Sequence, residues 1–267
     1  MSVQETGPAR PGGATLPFDP LLVLRAEADR IVALPVESFG ARVPSCPDWD
    51  VADLVSHTSW VHRWWEHAIL LPEGERASRE TSMAAGLPKP SSTHHPEGDL
   101  LAWFDEGVES LLQTFRTTPP TKRLMTPFGT HPPSLLARRV VHETAVHRWD
   151  AENALGSATG GFDPGVASDG IEELLELWVP ITFDYEPFRG TSQTIQLDAT
   201  DSDDGWVIVV EDDTTRWSRG QEPGSNVTAR GSLDDLYLFV WARRAIDRLD
   251  VHGDQGLLAR WQQAAAV

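Results

Sequence analysis

The sequence predicts an α+β protein: an N-terminal four-helix bundle followed by a small α+β domain. Two observations carry this reading. Apolar residues recur at helical spacing through the first two thirds of the 267 residues, and the period changes to two near Thr194 before helical spacing returns. Strands followed by helices mark a domain of their own, separate from the bundle. The expected boundaries are a flexible tail over 1–16, the bundle over 17–160, and a bridging helix with the α+β domain over 161–267.

The tail is rich in Gly, Pro, Ala and Thr, without the basic start and apolar stretch of a signal peptide. Asp19 as N-cap and Pro20 in the first turn open helix one, which presents Leu21, Leu24, Ala28 and Ile31 on one face. A loop of Gly, Pro and Cys leads to Asp50, the cap of a second helix with Leu54, His57, Val61, Trp64 and Ala68 on its apolar side. Residues 72–98, rich in Pro, Ser and charge and including His94-His95, read as a long mobile connection. Asp99 caps a third helix with a stripe of Leu101, Phe104, Val108, Leu111, Leu112 and Phe115. A fourth runs from Pro132-Pro133 to Gly156 and lines one face with Leu136, Val140, Glu143, His147, Ala151 and Ala154. A fifth begins after Asp163-Pro164, with Ile171, Leu174, Leu175 and Trp178 inward. Thr194–Ala199 and Trp206–Val210 form a hairpin, and 214–218 and 226–229 are further strands. Ser232 and Asp235 open a helix of Leu233, Leu236, Phe239, Val240 and Ile246, and a last helix follows Asp254.

Forty acidic residues against twenty-two basic ones give a net charge of -18, which disfavours nucleic acid and anionic membranes as partners. No run is long and apolar enough to span a bilayer. The single cysteine, Cys46, rules out an intramolecular disulfide and a thiolate cluster, and the expected location is the cytoplasm.

Glu143 and His147 stand at i and i+4 of the fourth helix and so share a face. Two polar residues in an apolar stripe need a partner, and a metal ion completed by His57 from the second helix is one. Two His and one Glu leave a position open, as catalytic zinc sites do. His142 and His147, five apart and separated by about 500° of helical rotation, cannot share a zinc in the His-Glu-x-x-His manner. Asp150, one turn beyond His147, is placed to accept from its ring. The alternatives are an ion pair of Glu143 with Arg139 and an ordinary half-buried His147. The face of Trp60, Trp64 and Trp65 reads as core or pocket wall.

Two segments carry a family resemblance. Val43-Pro44-Ser45-Cys46-Pro47-Asp48-Trp49-Asp50-Val51-Ala52-Asp53-Leu54-Val55-Ser56-His57 and Arg139-Val140-Val141-His142-Glu143-Thr144-Ala145-Val146-His147-Arg148-Trp149-Asp150 resemble, in order, the two signature segments of the mycothiol-dependent maleylpyruvate isomerase family. The similarity extends into Asp169-Gly170-Ile171-Glu172-Glu173, Trp241-Ala242-Arg243 and Val251-His252-Gly253-Asp254. It implies a DinB-like metal-binding bundle with a smaller C-terminal domain. It also implies a divalent metal, usually zinc, on the positions of His57, Glu143 and His147, and mycothiol, the thiol of actinobacteria, as cosubstrate. Arg243 matches the arginine thought to hold the anionic substrate, although Ala242 and Arg244 depart from the common tryptophan-glycine-arginine pattern.

The function expected is therefore a thiol S-transferase or a maleylpyruvate-type cis-trans isomerase, in which a thiolate adds to an electrophilic small molecule. The catalytic candidates are Arg243 and Asp150, and Trp64 and Arg139 are candidates for holding the cosubstrate. The chain is expected as a monomer or homodimer. Two other readings stay open: a non-catalytic metal-containing binding module, its fourth ligand from His62 or His142, and a metal-dependent hydrolase.

Overall fold

In the computed structural model, which describes residues 16–87, 99–157 and 161–266, Asp19 accepts from the backbone N–H groups of Leu21 and Leu22 and starts α1 (Pro20–Val32). The chain forms two compact units, Phe18–Gly160 and Gly161–Val267 with the residues up to Pro17. In the first, α1 buries Leu24, Ala28 and Ile31. The segment read as a loop instead pairs β1 (Arg42–Val43) with β2 (Cys46–Asp50) around a two-residue turn, Pro44-Ser45. Strands this short carry too little apolar alternation to be seen in sequence.

Asp50 and Asp53 cap α2 (Val51–Leu70) reciprocally, each side chain accepting from the other's backbone N–H. The connection after it contains a short helix, α3 (Arg79–Ala84), where a loop was expected; Ser78 and Thr81 form its capping box. Residues 88–98, with His94-His95, lie outside the described residues. Helix α4 (Leu100–Thr117) starts at Asp99 and buries Phe104, Val108, Leu111, Leu112 and Phe115. Each such side chain contributes about 1.5–3 kcal/mol relative to exposure. A small hairpin of β3 (Leu124–Thr126) and β4 (Gly129–His131) precedes α5 (Pro133–Ala154), whose exit passes through Gly156 at φ +66°.

Helices α1 and α2 each pack on both α4 and α5, which makes a four-helix bundle in the ring order α1, α4, α2, α5. Helix α5 differs from the one-faced stripe expected of it: Ala137, Val141, His142, Thr144, Ala145, Arg148 and Trp149 are buried as well as Leu136, Val140 and Ala151. Part of that burial is ionic. Arg148 is fully buried, with Nε 2.6 Å from Glu27 Oε2 on α1 and Nη1 3.1 Å from Glu152 Oε2, and Arg30 donates to both oxygens of Glu152.

In the second unit Asp163 caps α6 (Pro164–Glu173), which packs on α8 (Leu233–Val240). Pro180 has no N–H to continue the ladder, and the helix passes through a π segment at Leu174–Trp178 into α7 (Val179–Thr182). The expected hairpin is β5 (Gln193–Ala199) with β6 (Gly205–Glu211), extended by β7 (Thr214–Arg219), β8 (Val227–Gly231) and β9 (Asp250–Gly253). Their order is β7-β6-β5-β8-β9, with β5 and β8 parallel and the other pairs antiparallel. Helix α8 (Leu233–Val240) stops short of Ile246, because Ala242 turns the chain at φ +57°. Helix α9 (Gln255–Ala265) follows its cap Asp254. Arg219 ties sheet to helix by pairing with Glu172 of α6, which is almost fully buried and also accepts from Trp206 Nε1 at 3.3 Å. No described helix is long and apolar enough to cross a membrane.

Candidate metal centre

His57 stands on α2, and Glu143 and His147 stand one turn apart on α5, its neighbour in the ring. Glu143 Oε1 is 3.3 Å from His57 Nε2 and 3.3 Å from His147 Nε2. One ligand atom from each of the three lies within 4.8 Å of the others. Three donors held at about 2.1 Å by a tetrahedral ion stand roughly 3.4 Å apart, so two imidazoles and a carboxylate at this spacing fit a divalent cation in distance and in ligand type. Among the described residues no other group of three His, Cys, Asp or Glu side chains converges in this way. His57 does not lie on the most buried face of its helix, as sequence suggested. That face carries Leu54, Thr58, His62 and Trp65, and the His57 side chain is 28% exposed, which leaves the cluster accessible.

Two of the three donors are held from behind. Arg139, one turn before Glu143 and buried, donates to Glu143 Oε2, so the other oxygen turns to the imidazoles. Asp150, with no exposed side-chain surface, lies with Oδ2 3.0 Å from His147 Nδ1. It accepts from Ser45 Oγ at 2.6 Å through Oδ1. Trp49 of β2 places its ring 4.7 Å from that of His57 and 6.2 Å from that of His147.

The electrostatics are those of a tightly paired cluster. Burial alone would raise Glu143, but the Arg139 charge and hydrogen bonds from His147 and His57 outweigh it and hold its pKa well below the usual carboxylate range. Burial alone would lower His147, yet its hydrogen bonds to Asp150 and Glu143 prevail and hold the pKa up to about 9. Burial dominates at His62, which falls to about 3 and is neutral.

Trp64 is half-buried and packs on Trp60 with ring centroids 5.3 Å apart. His62 is fully buried with Nε2 2.8 Å from Thr144 Oγ1, and His142 meets the Phe18 ring edge-on at 6.3 Å. Neither belongs to the converging cluster. Arg243, in the second unit, is half-buried and donates from Nη1 to the Trp241 carbonyl at 2.8 Å. The sequence reading did not assign Ser45 or Trp49 a place at the site. Both lie in the segment before the Asp50 cap, but their approach to α5 and to the imidazoles depends on the β1–β2 turn.

A helical bundle with a two-histidine, one-carboxylate cluster on adjacent helices defines a class of candidate metalloproteins. Residues 21–152, nearly all of the first unit, match the family profile described as mycothiol maleylpyruvate isomerase N-terminal domain. The N-terminal unit is a domain of that family. The crystal structure of the mycothiol-dependent maleylpyruvate isomerase has the same fold, with a TM-score of 0.59 and 16% identity over 87% of this chain and 91% of the other. A mutant of that enzyme superposes equally well. A comparison with curated proteins gives no match.

Proposed function

We propose that His57, Glu143 and His147 hold one divalent ion, zinc as the family resemblance implies, and that the chain is a mycothiol-dependent S-transferase or maleylpyruvate-type isomerase. The observation that carries the reading is the convergence of the three ligand atoms within 4.8 Å in a domain of this family. A free thiol, with pKa about 8.5, is mostly protonated at neutral pH, and a bound divalent metal would supply the Lewis acidity that makes it a thiolate.

The residues of the chain do the rest. Asp150 accepts a hydrogen bond from the Nδ1–H of His147, which keeps the proton on Nδ1 and the Nε2 lone pair directed at the site. Arg139 fixes the Glu143 carboxylate. Trp49 shields the imidazole rings. Trp64 offers an aromatic surface for the cosubstrate, and the Arg243 guanidinium suits the carboxylate of an anionic electrophile through paired hydrogen bonds. The sulfur brought by mycothiol adds to one carbon of a conjugated C=C bond, whose π electrons move onto the neighbouring carbonyl as an enolate. If the C–S bond breaks again after rotation about the former double bond, the double bond reforms, the thiolate is released and the substrate is isomerised; if the enolate instead takes the proton given up by the thiol, the product is an S-conjugate.

The test is calorimetric titration of mycothiol into the zinc-loaded protein, with glutathione and free cysteine as controls. Selective binding of mycothiol is expected. No binding of any thiol would overturn the reading and favour the binding module or the hydrolase.

A further inference from the structure

We infer that the β1–β2 hairpin is a working part of the metal centre and that Ser45 at its tip is the positioning residue for His147. The inference rests on the metal reading above and extends it to residues outside the ligand set.

The hairpin is anchored before it reaches the site. Val43 is fully buried, Val43 pairs with Cys46, β1 packs on α5, and the backbone N–H groups of Val51 and Ala52 donate to the Ala41 and Phe39 carbonyls. From this frame two side chains reach the cluster. The Ser45 hydroxyl donates to Asp150 Oδ1 at 2.6 Å, while Asp150 Oδ2 faces His147 Nδ1 at 3.0 Å. Trp49, four residues on, lies against the rings of both His57 and His147.

Asp150 is completely buried, so no water can replace a lost partner on the oxygen that Ser45 occupies without entering the bundle. The hydroxyl fixes the plane of the carboxylate, the carboxylate fixes the tautomer and tilt of His147, and His147 Nε2 is thereby held 3.3 Å from Glu143 Oε1. Ser45 touches no ligand atom in this chain of contacts; it acts through Asp150.

The experiment compares wild type, Ser45→Ala and Ser45→Thr as full chains. Zinc affinity is measured by competition with a chromophoric chelator, the visible spectrum of the cobalt(II) form reports ligand geometry, and the melting temperature of the metal-free proteins reports the fold. Ser45→Ala should bind zinc about tenfold more weakly and show an altered cobalt spectrum, with a metal-free melting temperature a few degrees below wild type that leaves it folded under the assay conditions. Ser45→Thr, which keeps the hydroxyl, should stay within about threefold. Wild-type affinity and spectrum in Ser45→Ala, or equal weakening in both variants, would overturn the role of the hydroxyl while leaving the metal reading intact. A wild-type protein that takes up neither ion would overturn the metal reading and this inference with it.

Discussion

Glu143 Oε1 faces His147 Nε2 at 3.3 Å across one turn of α5. In the metal-free chain that contact, together with Asp150, keeps His147 protonated up to about pH 9. A ligand must give up its proton to bind a metal, so zinc uptake at pH 7 should release about one proton from His147. Calorimetry in two buffers of different ionisation enthalpy measures it. Release should fade as pH rises through 9; uptake without proton release at pH 7 would contradict the pairing. The raised pKa also stabilises the metal-free fold. That contribution is fully present below the unfolded histidine range and is lost as pH rises through about 9.

Arg139 supplies positive charge to Glu143 from the side away from the imidazoles. Replacing it by Met leaves a buried carboxylate with one charged partner fewer, at a cost of about 2 kcal/mol to the metal-free protein. A bound divalent ion would compensate much of that loss. Urea denaturation of Arg139→Met with and without saturating zinc should therefore give a smaller destabilisation with zinc, and equal losses would sink the argument.

Capping chemistry made the bundle legible in sequence: Asp19, Asp50 and Asp99 each open a helix where a capping residue precedes a helical stripe. The spacing of Glu143 and His147 placed two donors on one face for the same local reason. What sequence did not give depends on distant contacts. The six-residue helix α3 and the short pairs β1–β2 and β3–β4 leave almost no periodic signal. The burial of Arg148 is set by Glu27 on another helix, 121 residues away, and nothing near Arg148 announces it. The approach of Ser45 to Asp150 likewise spans 105 residues.

His62 gives an acid-side prediction. Fully buried against Thr144, it stays neutral until about pH 3, whereas in the unfolded chain it takes a proton near pH 6.5. Its contribution to stability is present above about 6.5 and is lost as pH falls from there towards 3, at up to about 1.4 kcal/mol per pH unit. Wild type is compared with His62→Gln, which has no imidazole at this position to titrate. The difference between their denaturation curves from pH 7 to 4 isolates the histidine, and the variant should have the flatter profile. Parallel profiles would mean that position 62 opens to solvent before it titrates.

Ala242 is the non-glycine residue among those described that adopts a positive φ, +57°, and it sits between Trp241 and Arg243 at the end of α8. The conformation is enforced by the turn: the Ala242 N–H donates to Phe239 O at 3.0 Å and the Arg243 N–H to Leu238 O at 2.7 Å. Trp241 Nε1 fixes the preceding residue on the Gly170 carbonyl of α6 at 3.0 Å. A Cβ in the left-handed region costs about 1–2 kcal/mol, and glycine removes that strain while adding about 0.5–1 kcal/mol of backbone entropy to the unfolded chain. Ala242→Gly should therefore stabilise the protein by up to about 1 kcal/mol, and Ala242→Val, branched at Cβ, should destabilise it by more than the glycine gains. Scanning calorimetry of the full chain reads both. A lower transition temperature for the glycine variant would mean that the left-handed turn at 242 is not maintained in solution, and the placement of the Arg243 guanidinium would have to be drawn again.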